Sequence, residues 1–144
     1  MNPNVDFKPL HLGKVVAASG YFDPIHVGHI EYLEKARSLG DKLIVIVNND
    51  KQASLKKGKS FMPLEDRLKI VSSLRVVDEV FTSIDIDPTV ALSLAFLKPD
   101  IFAKGGDRTS HEIPENAVCS NLGIEIVDGL GEKIRSSSEF TGLK

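Results

Sequence analysis

The sequence predicts an α/β fold, a doubly wound parallel sheet with helices on both faces. Three observations predict it. From residue 15 onward, short apolar runs alternate with stretches of helical periodicity, at lengths suited to strands and crossover helices. The run 43–47, Leu-Ile-Val-Ile-Val, lacks polar alternation, as expected of a parallel strand covered on both faces. Glycine turns follow two of the apolar runs, at Gly20 and at Gly105-Gly106. In such sheets ligands bind beyond the carboxyl ends of the strands.

Taken in order, the first strand is 15–19 and the first helix runs from about Gly28 to Leu39. Its three- and four-residue spacing buries Ile30, Leu33 and Ala36, with Tyr32 beside them, and Gly40 is its C-terminal cap. The second strand is 43–47, and a polar loop is expected over 48–60. Pro63 sits in the first turn of a helix reaching about Leu74, and 79–82 is the third strand. Asp87-Pro88 starts a helix to about Leu97, and 100–103 is the fourth strand. Pro114 opens a helix to Asn121 that Gly123 ends, 124–127 is the fifth strand, and a short helix begins near Ser136. Residues 1–13 read as an extension before one domain, since 144 residues close a single core.

The chemistry centres on residues 20–29, Gly-Tyr-Phe-Asp-Pro-Ile-His-Val-Gly-His. A strand, a tight glycine turn and a helix N-terminus gather unpaired backbone N–H groups at one spot, which suits an anion such as phosphate. His26 and His29 lie three positions apart and can aim ring nitrogens at it, and Gly28 lets it approach the backbone. The alternative is that both histidines simply cap the helix. Lys56, Lys57 and Lys59 in Leu-Lys-Lys-Gly-Lys form a cationic turn able to reach over a phosphate, or else a solvated surface run. Lys104-Gly105-Gly106-Asp107 lets the backbone approach a base or ribose, with Asp107 accepting from hydroxyls. Ser136, Ser137 and Ser138 at a helix start, with Arg135 before them, form a second phosphate cradle. Asp23 and Asp50 follow strands and orient either loops or water around a metal ion.

Composition narrows the setting. Apolar residues make up 42% and charged residues 26%, a globular balance, and no apolar run approaches the ~18 residues of a membrane span. Residues 1–9 are polar and proline-containing, unlike a signal peptide. A net charge of -2 argues against bulk nucleic-acid binding. Cys119 stands alone, so no internal disulfide forms and a cytoplasmic location is expected.

The stretch Gly-Tyr-Phe-Asp-Pro-x-His-x-Gly-His resembles the signature of the HxGH nucleotidyltransferases, the cytidylyltransferase-like family, and the later segments fall where that family has its motifs. The second glycine segment most resembles that of heptose-phosphate adenylyltransferase domains, with glycerol-3-phosphate cytidylyltransferase also close. The resemblance implies a Rossmann-like five-stranded sheet of order 3-2-1-4-5. It implies transfer of AMP or CMP from ATP or CTP to a small sugar or polyol phosphate, with release of pyrophosphate. His26, His29 and Lys59 are then the catalytic groups. Gly20, Tyr21, Phe22, Asp23, Gly28, Gly105, Gly106, Asp107, Arg135, Ser136, Ser137 and Ser138 meet the nucleotide, and Lys56, Lys59, Arg67 and Asp50 meet the acceptor. Mg2+ arrives with the nucleotide, and no metal site of the protein's own is expected. Arg67 could instead be an exposed helix arginine paired with Glu65 or Asp66. Cytidylyltransferases of the glycerol-phosphate type carry an arginine before the hydroxyl run, and residues 129–133 have none, which favours ATP unless Arg135 or Lys133 substitutes.

The resemblance also implies a two-fold homodimer through the outer strand, with Val76, Val77 and Phe81 as the apolar patch, unless the following helix covers that edge. A non-catalytic nucleotide-binding module of the same fold is the other reading. A class I aminoacyl-tRNA synthetase is disfavoured, because the chain lacks the lysine–serine loop, an anticodon domain and positive charge.

Overall fold

The computed structural model describes residues 13–57, 60–105 and 114–130, and only the backbone of Lys56, Lys57 and Gly129. Its strands are β1 (Val15–Gly20), β2 (Lys42–Val47), β3 (Glu79–Thr82), β4 (Ile101–Gly105) and β5 (Glu125–Leu130). All pair in parallel, in the order β3-β2-β1-β4-β5. Between them run α1 (Val27–Arg37), α2 (Asp50–Lys57), α3 (Leu64–Ser72), α4 (Ala91–Leu97) and α5 (Asn116–Leu122). The α/β class and strand order are those expected.

Residue alternation along the strands builds two cores. On one face Val16 and Ala18 of β1 join Leu43, Val45 and Val47 of β2 and meet Leu33, Ala36 and Val71 of α1 and α3. On the other, Ala17, Ile46 and Phe102 meet Val90, Leu94 and Cys119. This two-sided burial is why β2 carries no polar residue after Lys42. Tyr32, Leu33 and Ala36 are the buried residues of α1, and Ile30 is only half-buried.

Several expectations need correction. Residues 50–57 form α2 instead of a polar loop. Its start is a reciprocal cap: Asn49 Oδ1 accepts from Gln52 N–H at 2.8 Å, and Gln52 Oε1 accepts from Asn49 N–H at 2.9 Å. α4 starts at Ala91 rather than Asp87, because Asp87 is spent on a local turn to Thr89 N–H and hydroxyl. The helix N-terminus is capped by buried Asp85, which accepts from Leu92 and Ser93 N–H. Pro63 is the residue before α3, and its carbonyl accepts from Asp66 and Arg67 N–H. α1 ends at Arg37, capped by Ser38 ahead of Gly40. α5 starts two residues after Pro114, while Gly123 ends it as expected with a left-handed φ of 72°.

The outer edge also differs from expectation. Val76, Val77 and Val80 are half-buried against the protein's own first core. Phe81 packs on the second core, and its ring stacks on Phe96 of α4 at 5.7 Å. Part of the cover expected from a second subunit therefore comes from α4. The N-terminal extension before Gly13 and the helix near Ser136 lie outside the described residues.

Candidate functional site

β1 delivers the chain into a turn that Gly20 and Phe22 shape together. A Cβ on Gly20 would stand 3.0 Å from the Phe22 ring, so the glycine gives the ring room to fold back and any side chain there would crowd it. Phe22 holds a left-handed φ of 54°, a conformation costing about 1 kcal/mol or more in a non-glycine residue, and its side chain is 1% exposed. Its ring meets His29 edge-on at 5.0 Å, supporting that imidazole from behind.

His26 and His29 form a reciprocal cap on α1. His26 Nδ1 accepts from Gly28 N–H and His29 Nδ1 accepts from His26 N–H, each at 3.1 Å. The rings stack with centroids 4.0 Å apart. A nitrogen that accepts carries the lone pair, so in each neutral ring the hydrogen lies on Nε2. The first turn of α1 holds no acidic residue to oppose an anion at the positive end of the helix. Capping, posed above as the alternative to anion binding, occupies only Nδ1 of each ring.

Three polar side chains fasten this turn to its surroundings. Asp23, 2% exposed, accepts from Phe61 N–H at 2.7 Å and Met62 N–H at 2.6 Å. Arg67 is fully buried: Nη1 donates to the carbonyls of Tyr21 (2.9 Å) and Asn48 (2.7 Å), Nε to that of Met62 (3.0 Å), and Nη2 to Asp50 Oδ1 (2.6 Å). The alternative of an exposed helix arginine paired with Glu65 or Asp66 is ruled out: Arg67 is a buried tie to the carbonyls of three loops. Its fork fits several carbonyls at once, as a lysine could not. These bonds leave Arg67 facing the chain itself, so it is placed beside the turn as a strut and does not reach outward to an acceptor. Asp50 starts α2, where it also accepts from Leu64 N–H at 3.4 Å.

The helix bearing Lys56 is anchored separately. Gln52, fully buried, donates from Nε2 to the carbonyls of Asp87 and Thr89, and Asn49 Nδ2 donates to those of Ser83 and Asp85. α2 is thereby bound to the loop after β3, and Lys56 falls in its last turn. Lys59, Gly106, Asp107, Arg135, Ser136, Ser137 and Ser138 lie outside the described residues. Gly105 closes β4 beside Tyr32, whose ring would be 3.1 Å from a Cβ there, and Lys104 Nζ lies 5.6 Å from the Phe102 ring centroid.

The structure thus brings Gly20, Tyr21, Phe22, Asp23, His26, Gly28 and His29 together with Asp50 and Arg67, and sets Gly105 on the neighbouring strand end. Sequence reading missed the roles of Asn49, Gln52 and the Tyr32 hydroxyl. The Asn49-x-x-Gln52 spacing was a readable capping signal, whereas Tyr32 looked like any apolar helix position. Among the described residues no group of three or more His, Cys, Asp or Glu is placed to hold a metal ion. Both oxygens of Asp23 and of Asp50 accept from the chain, those of Asp23 from Phe61 and Met62 N–H and those of Asp50 from Leu64 N–H and Arg67.

The model of the cytidylyltransferase-like family matches residues 17–132. The chain belongs to that family. It is similar to the bifunctional protein HldE of Hahella chejuensis, 40% identical over 128 residues, which cover 88% of this chain and 25% of that protein. It is likewise 40% identical over 119 residues to the HldE of Streptomyces coelicolor, covering 80% of this chain and 25% of the relative. The chain thus spans about a quarter of the length of these curated relatives. Among solved structures, a lipopolysaccharide core biosynthesis protein from Thermoplasma volcanium superposes with a TM-score of 0.69 at 29% identity, covering 83% of this chain and 98% of that one. The family places this domain among the nucleotidyltransferases.

Proposed function

We propose that this domain transfers a nucleoside monophosphate, AMP in preference to CMP, from the triphosphate to a small phosphorylated sugar or polyol. The observation that carries this reading is the paired cap at His26 and His29, which commits both Nδ1 atoms to the backbone and puts the hydrogens on Nε2. Two Nε2 donors at a helix N-terminus whose first turn carries no acidic residue suit the oxygens of an α- and a β-phosphate. In the step itself an oxygen of the acceptor phosphate attacks the α-phosphorus, the bond from that phosphorus to the β-bridging oxygen breaks, and pyrophosphate leaves. The nucleophile is already an anion, so the site needs no base. Its work is to align the reactants and stabilise charge on the pentacoordinate phosphorus.

In this reading the N–H groups of Tyr21 and Phe22 meet the phosphate chain, and Lys56 and Lys59 hold the acceptor phosphate. Gly105, Gly106 and Asp107 meet the nucleoside, and Arg135 with Ser136, Ser137 and Ser138 meets the outer phosphates. Asp23, Asp50 and Arg67 keep the turn in place. Mg2+ is carried on the nucleotide phosphates. The likeness to proteins named HldE favours a sugar phosphate as acceptor. The test is release of pyrophosphate from ATP or CTP with a panel of phosphorylated sugars and polyols.

The working unit of this reading is a homodimer in the cytoplasm. Ile84, Ile86, Leu92 and Phe96, each more than half exposed, form an apolar surface next to the outer strand β3. No helix among the described residues is long and apolar enough to cross a membrane.

A further inference from the structure

The two central strands separate at the crevice, and one side-chain oxygen stands between them. Along a strand, alternate residues face alternate neighbours. The Gly20 carbonyl accepts from Asn48 N–H on the β2 side at 2.9 Å, so the backbone of Ser19 faces β4. The Asp100 carbonyl accepts from Glu125 N–H on the β5 side at 3.0 Å, so by the same alternation Ala103 faces β1. The β1–β4 register runs Val16 with Ile101, Ala17 with Phe102 and Ala18 with Ala103, and stops there. The next rung would join Ser19 N–H to the Ala103 carbonyl. Tyr32 takes both of these groups. Its hydroxyl oxygen accepts from Ser19 N–H at 3.1 Å, and its O–H donates to the Ala103 carbonyl at 2.6 Å.

We propose that Tyr32 is a positioning residue whose hydroxyl, inserted in that rung, holds the β1–β4 fork at the width the nucleotide needs. The proposal rests on the nucleotidyltransferase reading, in which β1 leads to the turn for the phosphates and β4 to the segment for the nucleoside. A nucleotide spans both strand ends, so their separation sets whether its two halves are held at once. Tyr32 lies one turn after His29 on α1, so one helix presents the phosphate donors and sets the gap. Its ring also packs against Gly105, where any side chain would press on it. Burial pushes the phenol well above its ordinary value, and the charge of Glu115 adds in the same direction against the Ser19 hydrogen bond. The group therefore remains a protonated donor to Ala103 at any working pH.

Tyr32→Phe separates positioning from simple support. Without the oxygen, Ser19 N–H and the Ala103 carbonyl can bond directly, so the fold gains a ladder bond for the two it loses. Calorimetric titration of wild type and variant with ATP, CTP and inorganic pyrophosphate reads the outcome. Pyrophosphate needs only the turn, and a nucleotide needs both strand ends. The expected result is that the nucleotide bound by the wild type binds the variant about tenfold more weakly, while pyrophosphate affinity and melting temperature stay nearly unchanged. Unchanged nucleotide affinity, or equal loss for nucleotide and pyrophosphate with a lowered melting temperature, would overturn the inference. A wild type that binds neither ATP nor CTP would instead overturn the nucleotidyltransferase reading, and the inference with it. If Tyr32→Phe does not fold, Tyr32→His keeps a polar ring on α1 without the phenol oxygen at that rung, and the same split between nucleotide and pyrophosphate is required of it.

Discussion

One nitrogen of each imidazole at positions 26 and 29 folds the helix, and the hydrogen is thereby fixed on the other. In the proposed reaction, His29→Ala removes a phosphate donor together with one cap. Turnover should fall about a hundredfold or more, whereas the lost cap should lower stability by only about 1 kcal/mol. Steady-state kinetics beside chemical denaturation would check both, and a folded variant with normal turnover would remove His29 from the chemistry. The histidine spacing and the glycines around it were readable from sequence, since they are short-range features of one turn. The tautomer was not, because it depends on which nitrogen the backbone N–H groups reach. Phe22 is similar: its identity was plain, but a buried aromatic at positive φ emerges only once Gly20 leaves room for the ring.

At the scale of elements, the site is a set of loops held by buried polar side chains. Arg67 joins the glycine turn, the end of β2 and the segment before α3, and Asp23 binds that segment a second time. Arg67→Lys retains the charge but loses the fork, leaving buried carbonyls unpaired. Stability should fall by about 3 kcal/mol, measured by urea denaturation. A loss below about 0.5 kcal/mol, the range of a surface pair, would contradict the buried tie. The strands and their order were legible because two-sided burial leaves continuous apolar runs such as 43–47. α2 was not, since its surface is polar and its buried residues, Gln52 and Ala53, give no apolar stripe. Helix starts were misjudged for a related reason. Asp87-Pro88 has the composition of a cap, but Asp85 reaches α4 first and Asp87 is left to a turn.

For the molecule as a whole, surface and activity make separate demands. The apolar residues at 76 and 77 that suggested an interface pack inward, and those left exposed lie on α4 and the loop before it. If the protein is a homodimer through this surface, Phe96→Glu should give a monomer at micromolar concentration in sedimentation, while Val77→Glu should instead destabilise the fold. A monomeric wild type would count against the interface. The loop of that surface is also bound to α2 through Asn49 and Gln52, so a subunit interface there would share one support with the lysine-bearing helix. The central claim is nucleotidyl transfer, and pyrophosphate release tests it most directly. With ATP, or failing that CTP, and a panel of phosphorylated sugars and polyols, pyrophosphate should appear only when triphosphate and a matching acceptor are both present. Release of orthophosphate in its place, or no pyrophosphate from any combination with a folded protein that binds nucleotide, would contradict the account.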